Sequence, residues 1–300
     1  METAPGLAEI SRQWVLSPLW LIAVPAALLW YARNFAAARR NGCPHPAWRF
    51  AMFAAGTAVF ALAVLSPIAS YGRQLLWVDF TGFLLITMIA PPLVLLGAPL
   101  TLAFRAAGPS RRATLRRVYR SRFAAVATFP VGTWLTFAVV TYLWQFSSWT
   151  ELAARNDLAR VVQQGSLLIV GLLFWLPGLA TDPLRWRMPY PLRALYIFVE
   201  MTHKSLFGGM FLSMNTAFHE QFHANAPAWA PAPMTDQRIA ILILWIGGNL
   251  VFIVALAVLA ARWIAYEQRN QRRTDLRLAR QQERARRKAA ALEQVFSRPL

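Results

Sequence analysis

The chain reads as all-α: a polytopic integral membrane bundle of about seven transmembrane helices, N-terminus out and C-terminus in, followed by a basic helical cytoplasmic tail. Three observations predict this. Apolar, nearly uncharged runs recur along 300 residues that are 57% hydrophobic and only 15% charged, and about 20 such residues at 1.5 Å rise cross a bilayer. Lipid cannot satisfy exposed backbone polar groups, so such runs must be helical. Finally, the arginines that make the net charge +18 fall into alternate connections, as the positive-inside rule requires.

The spans lie near residues 15–32, 50–69, 75–97, 123–146, 158–180, 192–217 and 238–264. Between the first two stand Arg33, Arg39, Arg40 and Arg49. Between the third and fourth stand Arg105, Arg111, Arg112, Arg116, Arg117, Arg120 and Arg122. Arg185, Arg187 and Arg193 follow on the same side, and the tail after Ala265 is dense in arginine. The opposite connections hold few cations and include Glu151, Asp157, Glu220 and Asp236. This distribution places the basic connections in the cytoplasm and accounts for the charge without nucleic acid.

Met1 to Trp14 carries no basic cluster and no clear small-residue cleavage site follows, so the first apolar run reads as a retained span. Cys43 is the single cysteine, which excludes an internal disulfide. Two domains are expected, a transmembrane domain over 1–265 and a tail over 266–300. The tail from Gln268 to Leu292 is rich in Arg, Gln, Glu and Ala, all good helix formers. It suits attraction to anionic membrane lipid, or docking to a partner.

Polar residues inside spans are costly and face a cavity or one another. Asp79 stands near the outer end of the third span, Gln145 ends the fourth, and Arg160, Gln163 and Gln164 open the fifth. Arg160 and Gln164 share a helical face, so either an Asp79–Arg160 ion pair fringed by amides or a separately solvated ring is expected. The sixth span carries Glu200, His203 and Lys204, spaced so that Glu200 can neutralise Lys204 along one face or handle protons or substrate. Gly208 and Gly209 follow, where small residues permit close helix approach.

The outer stretch HEQFH places His219 and His223 one helical turn apart with Glu220 between them. This spacing can hold a metal and supply a base, the arrangement of zinc metallopeptidases. The helix is broken by Ala224–Pro233 soon after, and no clear third-ligand motif follows, which argues against a peptidase. A copper or zinc site of His219 and His223, with Asp236 as an oxygen ligand, stays open beside plain interfacial histidines.

Trp48 and Arg49 open the second span; Ser66, Pro67 and Tyr71 form SPxxxY; Ala90, Pro91, Pro92, Leu93, Gly97 and Pro99 form APPLxxLGxP. Gly171, Leu172, Leu173, Phe174, Trp175 and Pro177 form GLLFWxP, and Asp236 and Gln237 form a DQ pair with Trp245 following. Taken in order, these separated motifs resemble those of the CtaG-type cytochrome c oxidase assembly factors that accompany caa-type heme-copper oxidases. The resemblance implies a non-catalytic membrane accessory or assembly factor for a respiratory cytochrome c oxidase, with heme-copper oxidase subunits or another membrane complex as partners. It also implies histidines where this chain has Asp79, Phe83, Gln145, Arg160 and Gln164, and a glutamate where it has Gln163. Phenylalanine and arginine are not ordinary metal ligands, and glutamine is a poor one. Three readings remain: copper-centre maturation moved to His219 and His223, assembly through helix contacts without metal, or a permanent structural subunit.

Overall fold

A computed structural model describes residues 6, 12–183, 185–217, 222, 224 and 226–296, with side chains as far as Glu283. The main helices are α1 (Pro18–Arg40), α2 (Ala47–Leu65), α3 (Leu76–Leu84), α4 (Ala90–Leu96), α5 (Pro130–Phe146), α6 (Asp157–Leu179), α7 (Tyr190–Leu212), α8 (Pro233–Leu242) and α9 (Gly248–Phe296). Short helices connect them, and no strand occurs among the described residues. Pro18, Pro67, Pro99, Pro109, Pro130 and Pro233 each open a helix; the first helical position tolerates proline because its N–H would be unbonded anyway.

Among the described residues five stretches are long and apolar enough to cross a membrane: Pro18–Arg40, Ala47–Leu65, Leu76–Ala106, Asp157–Leu179 and Pro233–Glu283. The two further spans expected from sequence have helices, but with different character. α5 has 17 residues, about 25 Å at 1.5 Å each. α7 has 23 residues but carries Arg193, Glu200 and Lys204. The chain divides into two compact units, Met1–Val254 and Ala255–Leu300. As far as Phe296 the second is helical throughout, and Tyr266 to Glu283 are exposed.

Within the first unit, α4 packs against α2 and α6, and α3 against α8. One core cluster gathers Trp20, Phe60, Val64, Phe83, Ile86, Trp144 and Leu167 from α1, α2, α3, the π-helical turn, α5 and α6. Two remote carboxylates cap helix starts from across the fold. Asp236 accepts from the N–H groups of Leu76 (3.0 Å) and Trp77 (2.9 Å). Asp182 accepts from those of Leu100 (3.2 Å) and Thr101 (2.8 Å). Each neutralises orphan donors at the positive end of a helix dipole. Ser66 does the same locally, its Oγ accepting from Ile68 N at 3.2 Å with Pro67 at the first helical position.

α3 runs into α4 through the π-helical turn Leu85–Ile89. The carbonyl of Thr87 would pair with residue 91 in an α-helix and 92 in a π-helix, and both are proline. Proline has no N–H to give. Trp175 of α6 supplies the missing donor, its Nε1 lying 3.1 Å from Thr87 O. Gly171 makes that approach possible, because a Cβ there would meet Pro91 Cγ at 2.9 Å and Thr87 O at 3.1 Å. The APPL and GLLFWxP motifs are thus the two halves of one interlock. Trp175→Phe keeps an aromatic ring but withdraws the donor, adding a cavity cost to the about 1–3 kcal/mol of an unsatisfied buried acceptor. Thermal unfolding in detergent should show a lower midpoint, and an unchanged one would contradict this role.

His45, between α1 and α2, is buried. Its Nε2–H donates to Gly97 O at 3.0 Å, which also accepts from Tyr31 Oη at 2.7 Å, while its Nδ1 faces Arg105 at 3.5 Å. Burial, with help from Arg49 and Arg105, lowers the imidazole pKa against the opposing pull of the Gly97 hydrogen bond. The unfolded chain therefore holds more protons between the folded-state pKa and about 6.5, so stability rises with pH across that window and is complete above it. Wild type should lose more stability than His45→Asn on acidification from about pH 7.5 to 5.5. Parallel midpoint curves for the two proteins would contradict this.

Candidate functional site

Asn156 caps α6 by accepting from Ala159 N at 3.0 Å, and the first turns of that helix carry Arg160, Gln163 and Gln164 toward α3. Arg160 Nη1 donates to Asp79 Oδ1 at 2.6 Å and to Gln163 Oε1 at 3.0 Å. Gln164 Oε1 accepts from Trp20 Nε1 at 2.7 Å, tying α1 into the same centre. Asp79 and Arg160 are each only 7% exposed, so this is a buried pair rather than a solvated ring. A second pair, Arg73–Asp157 at 2.6 Å, flanks it at the surface, where Asp157 is 87% exposed.

Asp79, Phe83, Arg160, Gln163 and Gln164 line one cavity of about 10 Å³, at the lower limit for a single water. The positions at which the family resemblance implies histidines therefore converge, with one exception. Gln145 lines a separate cavity of about 30 Å³ with Lys204, Tyr142 and Trp245. Trp20 was not singled out from sequence; its partner lies 144 positions away, and its only signal is an indole N–H in an apolar run, which must find an acceptor when buried.

The cluster does not fit copper. Asp79 is engaged by a guanidinium, Phe83 has no donor atom, and Arg160 brings positive charge to the place a cation would occupy. Among the described residues no three His, Cys, Asp or Glu side chains converge to hold a metal. His219, Glu220 and His223 lie outside the described residues. The oxygen ligand considered with them has another task, since both carboxylate oxygens of Asp236 accept from the start of α3.

A second polar centre sits on α7. Glu200 attracts the Lys204 ammonium by charge, as expected, but makes its close contact elsewhere, with Oε2 3.4 Å from His203 Nδ1. Tyr142 Oη is 3.0 Å from His203 Nε2, and the Trp134 ring meets the imidazole in a tilted contact, 5.2 Å between centroids. Lys204 Nζ has no hydrogen-bond partner among the described residues and rests over the rings of Phe83 (5.3 Å) and Phe137 (5.2 Å). Aromatic faces attract a desolvated cation, which draws Lys204 away from its i−4 neighbour. Phe83 thus borders both polar centres. Of the two glycines, Gly208 abuts Trp245, where a Cβ would meet Cγ at 3.0 Å, and Gly209 faces open space.

Reversing one charge leaves two like charges buried together, at about 3–5 kcal/mol or more. Asp79→Arg and Arg160→Asp should each lower accumulation in membranes severalfold, and D79R/R160D should recover most of the loss. Quantitative immunoblotting of membranes reads this, and no recovery in the double variant would contradict the pair.

Comparison with known proteins places these contacts in context. The model for the cytochrome c oxidase caa3 assembly factor family matches residues 29–265. Similar curated proteins include uncharacterized proteins of Mycobacterium bovis and Mycobacterium tuberculosis, each 26% identical over 90% of this chain and 42% of their own length. One of Mycobacterium leprae is 27% identical over 80% of this chain and 38% of its length. The chain thus spans less than half of the curated relatives it matches. No solved structure is a significant match. With the family model covering Asp79, the APPL–GLLFWxP interlock and both polar centres, the chain belongs to the cytochrome c oxidase caa3 assembly factor family.

Proposed function

We propose that this protein is a multi-pass accessory factor of a bacterial plasma membrane that assists assembly of a respiratory heme-copper oxidase through helix contacts. Family membership over residues 29–265 carries this reading. The buried Asp79–Arg160 pair favours contact chaperoning over metal transfer at that centre, because the carboxylate is already engaged by a fixed cation. Seven spans, with the N-terminus outside and the arginine-rich connections in the cytoplasm, follow from the charge distribution. α5 and α7 supply the spans beyond the five most apolar stretches; inside a bundle the shortness of one and the charges of the other are tolerated by neighbouring helices. The role is non-catalytic.

Deleting the gene should remove assembled oxidase, read as haem a absorbance and oxygen uptake in membranes, while transcripts of the oxidase subunits persist. Added copper should not restore it, and H219A/H223A should retain assembly. Unchanged oxidase in the deletion contradicts the proposal. Rescue by copper, together with failure of H219A/H223A, moves the function to copper delivery. Stoichiometric copurification with mature oxidase identifies a permanent subunit.

A further inference from the structure

On the arginine-rich side, the last turns of α1 and the short helix Pro109–Tyr119 face each other across an open groove of about 950 Å³. Leu29 and Trp30 form its apolar wall and are 51% and 45% exposed. Arg33 and Arg40 continue along α1, and Arg111 and Thr114 project from the facing helix. None of the three arginines has an acidic partner among the described residues. Residues 99–122 contain no Asp or Glu at all.

The spacing of the two walls is held from within the fold. α1 packs on the helix Pro99–Ala106, and Asn41 Nδ2 donates to Arg105 O at 3.2 Å and Ala106 O at 3.1 Å. Three uncompensated guanidiniums from two helices, beside exposed Leu and Trp, match an amphiphile with a phosphate head and hydrocarbon tails. Guanidinium recognises phosphate through charge-assisted, bidentate hydrogen bonds, and basic pockets between helices on the cytoplasmic side bind anionic headgroups.

We propose that this groove is a binding site for an anionic phospholipid, its phosphate held by Arg33, Arg40 and Arg111 and its acyl chains laid on Leu29 and Trp30. This differs from diffuse attraction at the tail, where arginines are interspersed with Glu267, Asp275 and Glu283 along an exposed helix. A lipid held here would brace α1 against the segment that follows α4.

The test uses the full chain, delipidated in detergent and then offered phosphatidylglycerol or phosphatidylcholine, with bound lipid counted by native mass spectrometry. Wild type should retain phosphatidylglycerol in preference to phosphatidylcholine. R33Q/R40Q/R111Q should bind it on the order of 100-fold more weakly, at roughly 1 kcal/mol per arginine. The charge-matched tail variant R272Q/R273Q/R277Q should bind as wild type does, and millimolar inorganic phosphate should not displace the lipid. Equal retention of both lipids, equal loss in both triple variants, or undiminished binding in R33Q/R40Q/R111Q overturns the proposal. Displacement by phosphate alone would mark a free-anion site and overturn the lipid assignment. Should the groove variant fail to fold, the single variants R33Q and R111Q, each expected to lose about fivefold, carry the same test.

Discussion

A carboxylate carried into an apolar bundle must meet a counter-charge there, and the rest of this fold is arranged around how Asp79 does so. Arg160 reaches it at 2.6 Å and is steadied by Gln163 at 3.0 Å, so α3 and α6 are joined by a charged contact that water does not screen. The same helix is held at two further points. Asp236 of α8 caps its start, and Trp175 of α6 satisfies the Thr87 carbonyl that Pro91 and Pro92 leave without a donor. Each of these groups would cost free energy alone in an apolar setting. Together they specify one placement of α3 and α4 among α6 and α8.

This arrangement accounts for the residue types at the converging positions as one set. A metal-binding cluster needs neutral imidazoles or anionic groups around a cation, whereas Arg160 is a fixed cation that takes Asp79, the one carboxylate among the described residues of the cavity. Phe83 takes part in a second way. Its ring lines the Asp79 cavity and also lies under Lys204 Nζ, a contact that an imidazolium at the same place would oppose by like charge. The chain pairs Asp79 with Arg160 in its interior, while Lys204 is held by aromatic faces rather than by hydrogen bonds.

Much of this was legible in the sequence because lipid-compatible helices announce themselves by composition. The Asp79–Arg160 pair could be anticipated because each sits near an end of its apolar run, and Gln164 shares a face with Arg160. Glu200 and Lys204 attract one another as their spacing suggests, but without close contact, because i,i+4 spacing says nothing of two aromatic rings arriving from α3 and α5 to take the ammonium. Asp236 was considered as a ligand for similar reasons: a carboxylate near histidines invites that reading, and only tertiary structure brings the start of α3 to it. The tandem prolines, read from sequence only as part of the APPLxxLGxP motif, leave a carbonyl four and five residues upstream in need of a donor. That the donor is Trp175, 88 positions away, is a property of packing that no local pattern encodes.

The most direct measurement is a double-mutant cycle that removes the charges without adding new ones: Asp79→Leu, Arg160→Met and D79L/R160M, compared by thermal unfolding of the purified protein in detergent. If the pair is the buried, mutually satisfied contact described above, each single change strands one charge and destabilises by about 3–5 kcal/mol, while the double variant lies close to wild type. Losses that simply add would show that Asp79 and Arg160 are satisfied independently, and would contradict the account.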